Sequence, residues 1–178
     1  MLTPIENRTE KLKAAGVFPE FLYAQDHPDE FSELQYEWEF PKAAYFYLPQ
    51  ISGENSYLAG WNITPVFDNS NGDIYYVHME RDGLKKFARL YLESSELGQD
   101  YGSDFRYLLA DFLIDLYESA EFSEQSIDDL GKTGERLGFV NARQLFSALE
   151  DAEEKDLRGS FEGDREWRDT NLPLIINA

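Results

Sequence analysis

Two short apolar runs, residues 62–67 and 74–79, flank Asp68-Asn69-Ser70-Asn71-Gly72-Asp73, and this arrangement constrains the fold more than any other feature of the chain. Asn-Gly readily takes the positive φ angles of a hairpin turn, so the two runs should pair antiparallel with Asn71 and Gly72 at the turn. Arg81-Asp82-Gly83 repeats the signal, and residues 86–93 alternate charged and apolar side chains well enough for a further strand. Upstream, residues 34–40 also alternate. Tyr36, Trp38 and Phe40 fall on one face and Glu37 and Glu39 on the other, the pattern of a half-buried strand. Residues 43–48 are an aromatic run closed by Pro49 and read as another strand. Strands joined by turns rather than by helices call for an antiparallel or mixed sheet.

The period then changes from two to 3.6. Phe105, Leu108, Leu109, Phe112, Leu113 and Leu116 form one face of a helix over residues 103–118, with Ser103 as N-cap. Ser126 with Asp129 opens a second helix that turns Ile127, Leu130 and Leu137 inward and stops at Gly138. Asn141 with Gln144 opens a third, burying Leu145, Phe146, Leu149 and Ala152. Beyond Glu154 the chain reads as a charged loop up to the apolar run 172–176, which must dock either on its own chain or on a second copy. A first helix is expected over residues 3–15, with Thr3 as N-cap, Pro4 at its first position and Gly16 as its stop. Strands before helices indicate an α+β domain, a mostly antiparallel or mixed sheet with helices on one face, spanning 1–178 as a core at 1–120 and a helical extension and tail at 121–178.

Charge narrows the function classes. Thirty-five Asp and Glu against sixteen Lys and Arg give a net charge of −19. A chain this acidic is repelled by phosphate backbones and anionic lipid, so its expected partner is a basic protein. Aromatic residues make up 15 % of the chain, too many for a solvating acidic tail. With no cysteine, thiolate metal sites, disulfides and Cys nucleophiles are excluded. Residues 1–13 lack the apolar core of a signal peptide, and no run approaches a membrane span, so the expected location is the cytoplasm.

No catalytic motif stands out. Gly-x-Ser-x-Gly is absent, and His27 and His78 are far apart and read as ordinary imidazoles. A calcium loop begun at Asp68 would need Gly at its sixth position and Glu at its twelfth, where Asp73 and Met79 stand, so residues 68–73 read as a turn. Gly131-Lys132-Thr133-Gly134 lacks the first glycine and the strand of a phosphate loop, leaving a glycine-interrupted helix. Neither a metal nor a cofactor is expected.

Residues 63–77, Ile63-Thr64-Pro65-Val66-Phe67-Asp68-Asn69-Ser70-Asn71-Gly72-Asp73-Ile74-Tyr75-Tyr76-Val77, resemble the central segment of the SUKH superfamily, where a strand and an acidic Gly/Asn turn lead to a Gly-Asp step and an aromatic strand. Residues 101–116, ending in Asp111-Phe112-Leu113-Ile114-Asp115-Leu116, are similar to that family's helix after the last strand, and Gly16, Phe18, Pro19 and Phe21 echo its opening. Residues 121–178 have no counterpart. The resemblance implies an α+β domain without catalytic residues, often a cytoplasmic bacterial immunity protein that binds and neutralises a toxin, many such toxins being nucleases. Alternatives are a regulatory or scaffold binding protein, or an enzyme using paired carboxylates on a small or sugar-like substrate. Candidate partner contacts are Glu37, Glu39, Asp68 and Asp73 as an acidic edge and Tyr57 and Trp61 as aromatic anchors, with the oligomeric state either monomer or homodimer.

Overall fold

A computed structural model describes residues 1–53, 56–123 and 125–178, with residues 121–123 described by their backbone alone. The chain forms two compact units, Met1–Phe105 and Arg106–Ala178. Together they are of the α+β class, with one four-stranded antiparallel sheet.

The first unit holds the sheet: β1 (Asn62–Asp68), β2 (Ile74–Arg81), β3 (Leu84–Tyr91) and β4 (Gln99–Gly102), in that spatial order. Both expected hairpins form; the second turn is as expected and the first differs in its conformation. The two-residue turn is Asp82-Gly83, closed by the Arg81–Leu84 pair, with φ of 52° and 82°. In the first hairpin only Gly72 takes a positive φ. Asn69 shapes that loop instead: its Oδ1 accepts the Asp73 and Ile74 amides, both at 3.1 Å.

β2 is buried on both faces, so each face needs a cover. Tyr75, Val77, Met79, Ala88 and Leu90 meet Ala44 and Leu48 of α3 (Lys42–Ile51) on one side. On the other, Phe67 stacks on Tyr76 at 4.1 Å and Phe87 sits beside Phe105 at 5.4 Å. Phe21 of α2 (Pro19–Asp26) joins this second cluster, 5.7 Å from Phe67 and 5.1 Å from Phe105. Within this unit, therefore, helices lie on both faces of the sheet rather than on one.

The strand expected over residues 34–40 is absent. A 3₁₀ segment, Pro28–Leu34, and a turn take its place, and only Glu39 makes a β-bridge, to Asp68. The buried residues are Phe31, Leu34 and Trp38, spaced three and four apart, which is helical spacing rather than alternation. Tyr36 is 75 % exposed and Trp38 only 6 %. Residues 43–48 likewise lie in α3, where Ala44 and Leu48 share one face and Pro49 falls in the last turn. Near the N-terminus, α1 (Ile5–Ala14) is preceded by Pro4, and the Thr3 hydroxyl bonds that of Thr64 at 2.7 Å rather than capping the helix.

β1 carries a bulge between Pro65 and Phe67. Arg8, buried on α1, donates from Nε to the Pro65 carbonyl at 2.8 Å and from Nη2 to the Val66 carbonyl, which also accepts from Gln25 at 2.8 Å. Burial pulls Arg8 down to about 10, leaving it charged at neutral pH.

The second unit is helical: α4 (Phe105–Ser123, entering at Arg106), α5 (Ile127–Arg136), α6 (Ala142–Glu154) and α7 (Phe161–Ile176). Ser126 caps α5 as expected, and Gly138 follows it at φ 94°. Asn141 does not cap α6, but donates to the Ile175 carbonyl at 2.6 Å. The segment expected as a charged loop is largely α7, capped by Ser160 and supported by the i,i+4 pair Asp164–Arg168 at 2.6 Å. Its last turns bury Leu172, Ile175 and Ile176, so the apolar tail docks on its own chain. Among the described residues, no helix is long and apolar enough to cross a membrane.

Candidate partner-binding surface

The six candidate contacts do not form one surface. Asp68 is fully buried: its Oδ2 accepts the amides of Ala43 at 2.8 Å and Ala44 at 3.1 Å, capping α3 from a distant part of the chain. Burial pushes its carboxyl up to about 7, against the pull of those two amides and of Arg8, while Glu39 reinforces the rise. Trp61 is a core residue in the cluster with α3, its ring bracketed by Arg81 at 4.5 Å and Lys86 at 5.1 Å. Tyr57 packs half-buried against the same cluster, and burial raises its hydroxyl above the usual range. Asp73 is exposed, but its Oδ1 accepts from Asn69 Nδ2 at 2.8 Å and so helps fix the turn. Glu39 is exposed and Glu37 half-buried. Of the six, the two glutamates and Asp73 present carboxylates toward solvent.

A more coherent acidic surface begins earlier, on α2. Phe21, Leu22 and Ala24 of α2, together with Phe31, Leu34 and Trp38, turn inward and give residues 19–39 a packed base, with Phe21 and Trp38 in edge contact at 4.9 Å. The outward positions are then left to acids and tyrosines. Glu20, Asp26, Asp29, Glu30 and Glu39 are exposed, with Glu33 and Glu37 partly so. Tyr36 of the same segment is exposed as well, and Tyr23, 46 % exposed, stacks on His27 at 3.9 Å. The Tyr23 hydroxyl donates to Glu30 at 3.0 Å, and that bond raises its ionisation above the ordinary phenol range.

Acid density marks this segment, since residues 14–41 carry seven Asp and Glu against four in the longer cation-free run 43–80. Between Lys13 and Lys42 there is no Lys or Arg. Ionised carboxylates are acceptor-only groups, and tyrosine faces attract cations, so the segment suits the ammonium and guanidinium groups of a protein ligand. Reading residues 34–40 as a strand hid this surface. The sequence signals that reveal it are seven acids without a Lys or Arg over residues 14–41 and the three-and-four spacing of Phe31, Leu34 and Trp38.

His78 is a core histidine, its ring 4.9 Å from Phe87, and burial lowers its affinity for a proton. In the second unit, a pocket of about 370 Å³ is lined by Tyr117, Glu118, Ile127, Leu130 and Glu153. Its carboxylates are engaged: Glu118 accepts from Arg158 at 2.5 Å, and Glu153 accepts from Tyr117, whose hydroxyl is pushed up first by burial and then by that bond. Among the described residues, no group of three or more His, Asp or Glu is placed to hold a metal ion. Comparison with family models, curated proteins and solved structures finds no match to this chain.

Proposed function

We propose that this chain is a non-enzymatic, acidic protein-binding module for a basic protein, in its most concrete form a cytoplasmic immunity protein of the SUKH kind that neutralises a basic toxin such as a nuclease. The observation that carries this reading is the acidic surface of residues 19–39, where exposed tyrosines stand among carboxylates in a segment with no Lys or Arg. A partner with a basic groove would be drawn in by the field of a chain at −19 and oriented by its acidic side, which raises the association rate and disfavours acidic competitors. Tyr36 and Tyr23 offer flat, low-entropy contact area, and a cation over each ring adds about 0.5–1 kcal/mol at an exposed site.

The test is capture of partners from the source organism with the tagged chain, followed by association kinetics of the recovered protein. One basic protein should be retained, losing its own activity when bound and associating more slowly as salt rises. The triple variant Glu20→Lys, Asp29→Lys, Glu33→Lys should slow association while leaving the circular dichroism spectrum unchanged. Recovery of only acidic or salt-indifferent partners, or an unchanged association rate in the triple variant, would reject the reading.

A further inference from the structure

Asp68 occupies an unusual position, and what it implies does not depend on the proposed partner. It closes β1, is fully buried, and serves as the N-cap of a helix that does not adjoin it in sequence. The residue before α3 is Pro41, which has no side-chain acceptor, so the Ala43 and Ala44 amides depend on Asp68 Oδ2. The other oxygen, Oδ1, has no hydrogen-bond partner among the described residues. An ionised carboxylate with one oxygen buried and undonated is costly, whereas a neutral acid can carry its proton on that oxygen.

The surrounding groups leave that cost uncorrected. Arg8 of α1 commits its guanidinium to the Pro65 and Val66 carbonyls and to Gln25, and so reaches Asp68 only through space. Glu39, joined to Asp68 by the backbone bridge, opposes a second negative charge. Tyr45 of α3 has a buried hydroxyl without a partner; burial raises its ionisation point, with Arg8 acting to lower it and Glu6 to raise it. Tyr75 of β2 donates to the Gly72 carbonyl, while Asp73 beyond it is exposed.

We propose that α3 is a pH-dependent latch, held on the sheet by a neutral Asp68 and released more readily once that carboxyl ionises. When α3 lifts, Asp68 meets water and regains an ordinary acidity, so ionisation favours the open form. The direction agrees with burial raising Asp68 in the closed form, which places the change between the ordinary carboxylate range and about pH 7. Opening uncovers the face of Tyr75, Val77 and Leu90 that Ala44 and Leu48 cover.

Hydrogen exchange at the Ala43 and Ala44 amides of the full chain tests this, after correction for intrinsic exchange chemistry. Between about pH 5 and about pH 8 the opening equilibrium should rise at least about tenfold in the wild type, since each unit by which burial raises the Asp68 pKa is one factor of ten. It should stay flat in Asp68→Asn, whose amide oxygen still caps α3, and Asp73→Asn should follow the wild type. Equal opening at both pH values in the wild type, or the same rise in Asp68→Asn, overturns the latch. Should Asp68→Asn fail to fold, the Asp68 carboxyl ¹³C shift of the wild type decides: a midpoint in the ordinary carboxylate range overturns the latch, and one near neutrality supports it.

Discussion

Gly131 and Gly134 lie one turn apart on α5, yet alanine should be tolerated at one and damaging at the other. In a helix interior, Gly→Ala by itself gains about 1 kcal/mol of backbone preference. At Gly134 the added Cβ would lie 2.5 Å from the Ala142 Cβ and 3.3 and 3.5 Å from the two Leu113 methyls. Carbon atoms pack at about 3.5–4.0 Å, so α5 and α6 would have to part by roughly 1 Å at that point. Ala142 has no torsion with which to move aside. Overpacking of this kind costs about 1–3 kcal/mol, and the upper half of that range applies because backbones must shift, leaving a net loss of about 1–2 kcal/mol for Gly134→Ala. At Gly131 the close atom is Arg143 Cγ at 2.9 Å, with the Arg143 Cα and Cβ both 3.9 Å away. Rotation of that exposed side chain relieves the contact and disturbs only its pairs with Asp128 at 2.5 Å and Glu135 at 2.8 Å. Surface pairs contribute up to about 1 kcal/mol, so Gly131→Ala should fall within about 0.5 kcal/mol of wild type. Urea unfolding followed by far-ultraviolet circular dichroism measures both. A Gly134→Ala midpoint equal to or above that of Gly131→Ala would refute the close approach of α5 to α6.

Two further perturbations act on the second unit. Ser126→Ala removes the hydroxyl that accepts the Asp129 amide at 3.2 Å and should destabilise α5 by about 1 kcal/mol, seen as a lower urea midpoint; an unchanged midpoint would mean the cap is replaced by water. Burial alone would raise Asp164, but Arg168 and Arg158, each at 2.6 Å, outweigh it and hold its carboxyl below the usual range. Its stabilisation is therefore complete above about pH 4 and lost as pH falls through the depressed value. Asp164→Asn should unfold more easily at neutral pH and lose part of the acid sensitivity of the wild type, whereas a midpoint with unchanged pH dependence would place that sensitivity elsewhere.

What could be read from the sequence follows how local the determining forces are. The two hairpins, α4 and the start of α5 were legible because their signals lie within the element: Asp82-Gly83 at a turn, six apolar residues on one helical face, Ser126 three residues before Asp129. α3 was misread because its aromatic run favours strand locally, while the group that caps it, Asp68, arrives from the end of β1. α7 was missed because its first half is charged and its support comes from ion pairs and from the burial of Trp167, 5.3 Å beneath Arg158. The candidate contacts fared unevenly for a related reason. Residue type marks Trp61 and Asp68 as able to bind, and only tertiary packing reveals that one is core and the other a cap.

The placement of cations decides which acids of the chain are paired. Arg8 holds a bulge, Arg158 and Arg168 tie Glu118, Asp164 and Asp111 together, and Lys132 and Arg143 bind Asp128 on the exposed side of α5 and α6. Around each of these groups the negative potential is locally compensated. Residues 19–39 contain no Lys or Arg, so no such cation of the segment offsets its seven acids, though Tyr23 donates to Glu30 within it. The net charge of −19 divides almost evenly, −10 in residues 1–105 and −9 in residues 106–178, and −7 of it lies in residues 19–39. In the second unit ion pairs compensate Asp111, Asp128 and Asp164 individually, whereas no Lys or Arg stands in the segment that carries Tyr23 and Tyr36, and a basic ligand placed there would meet both rings and carboxylates.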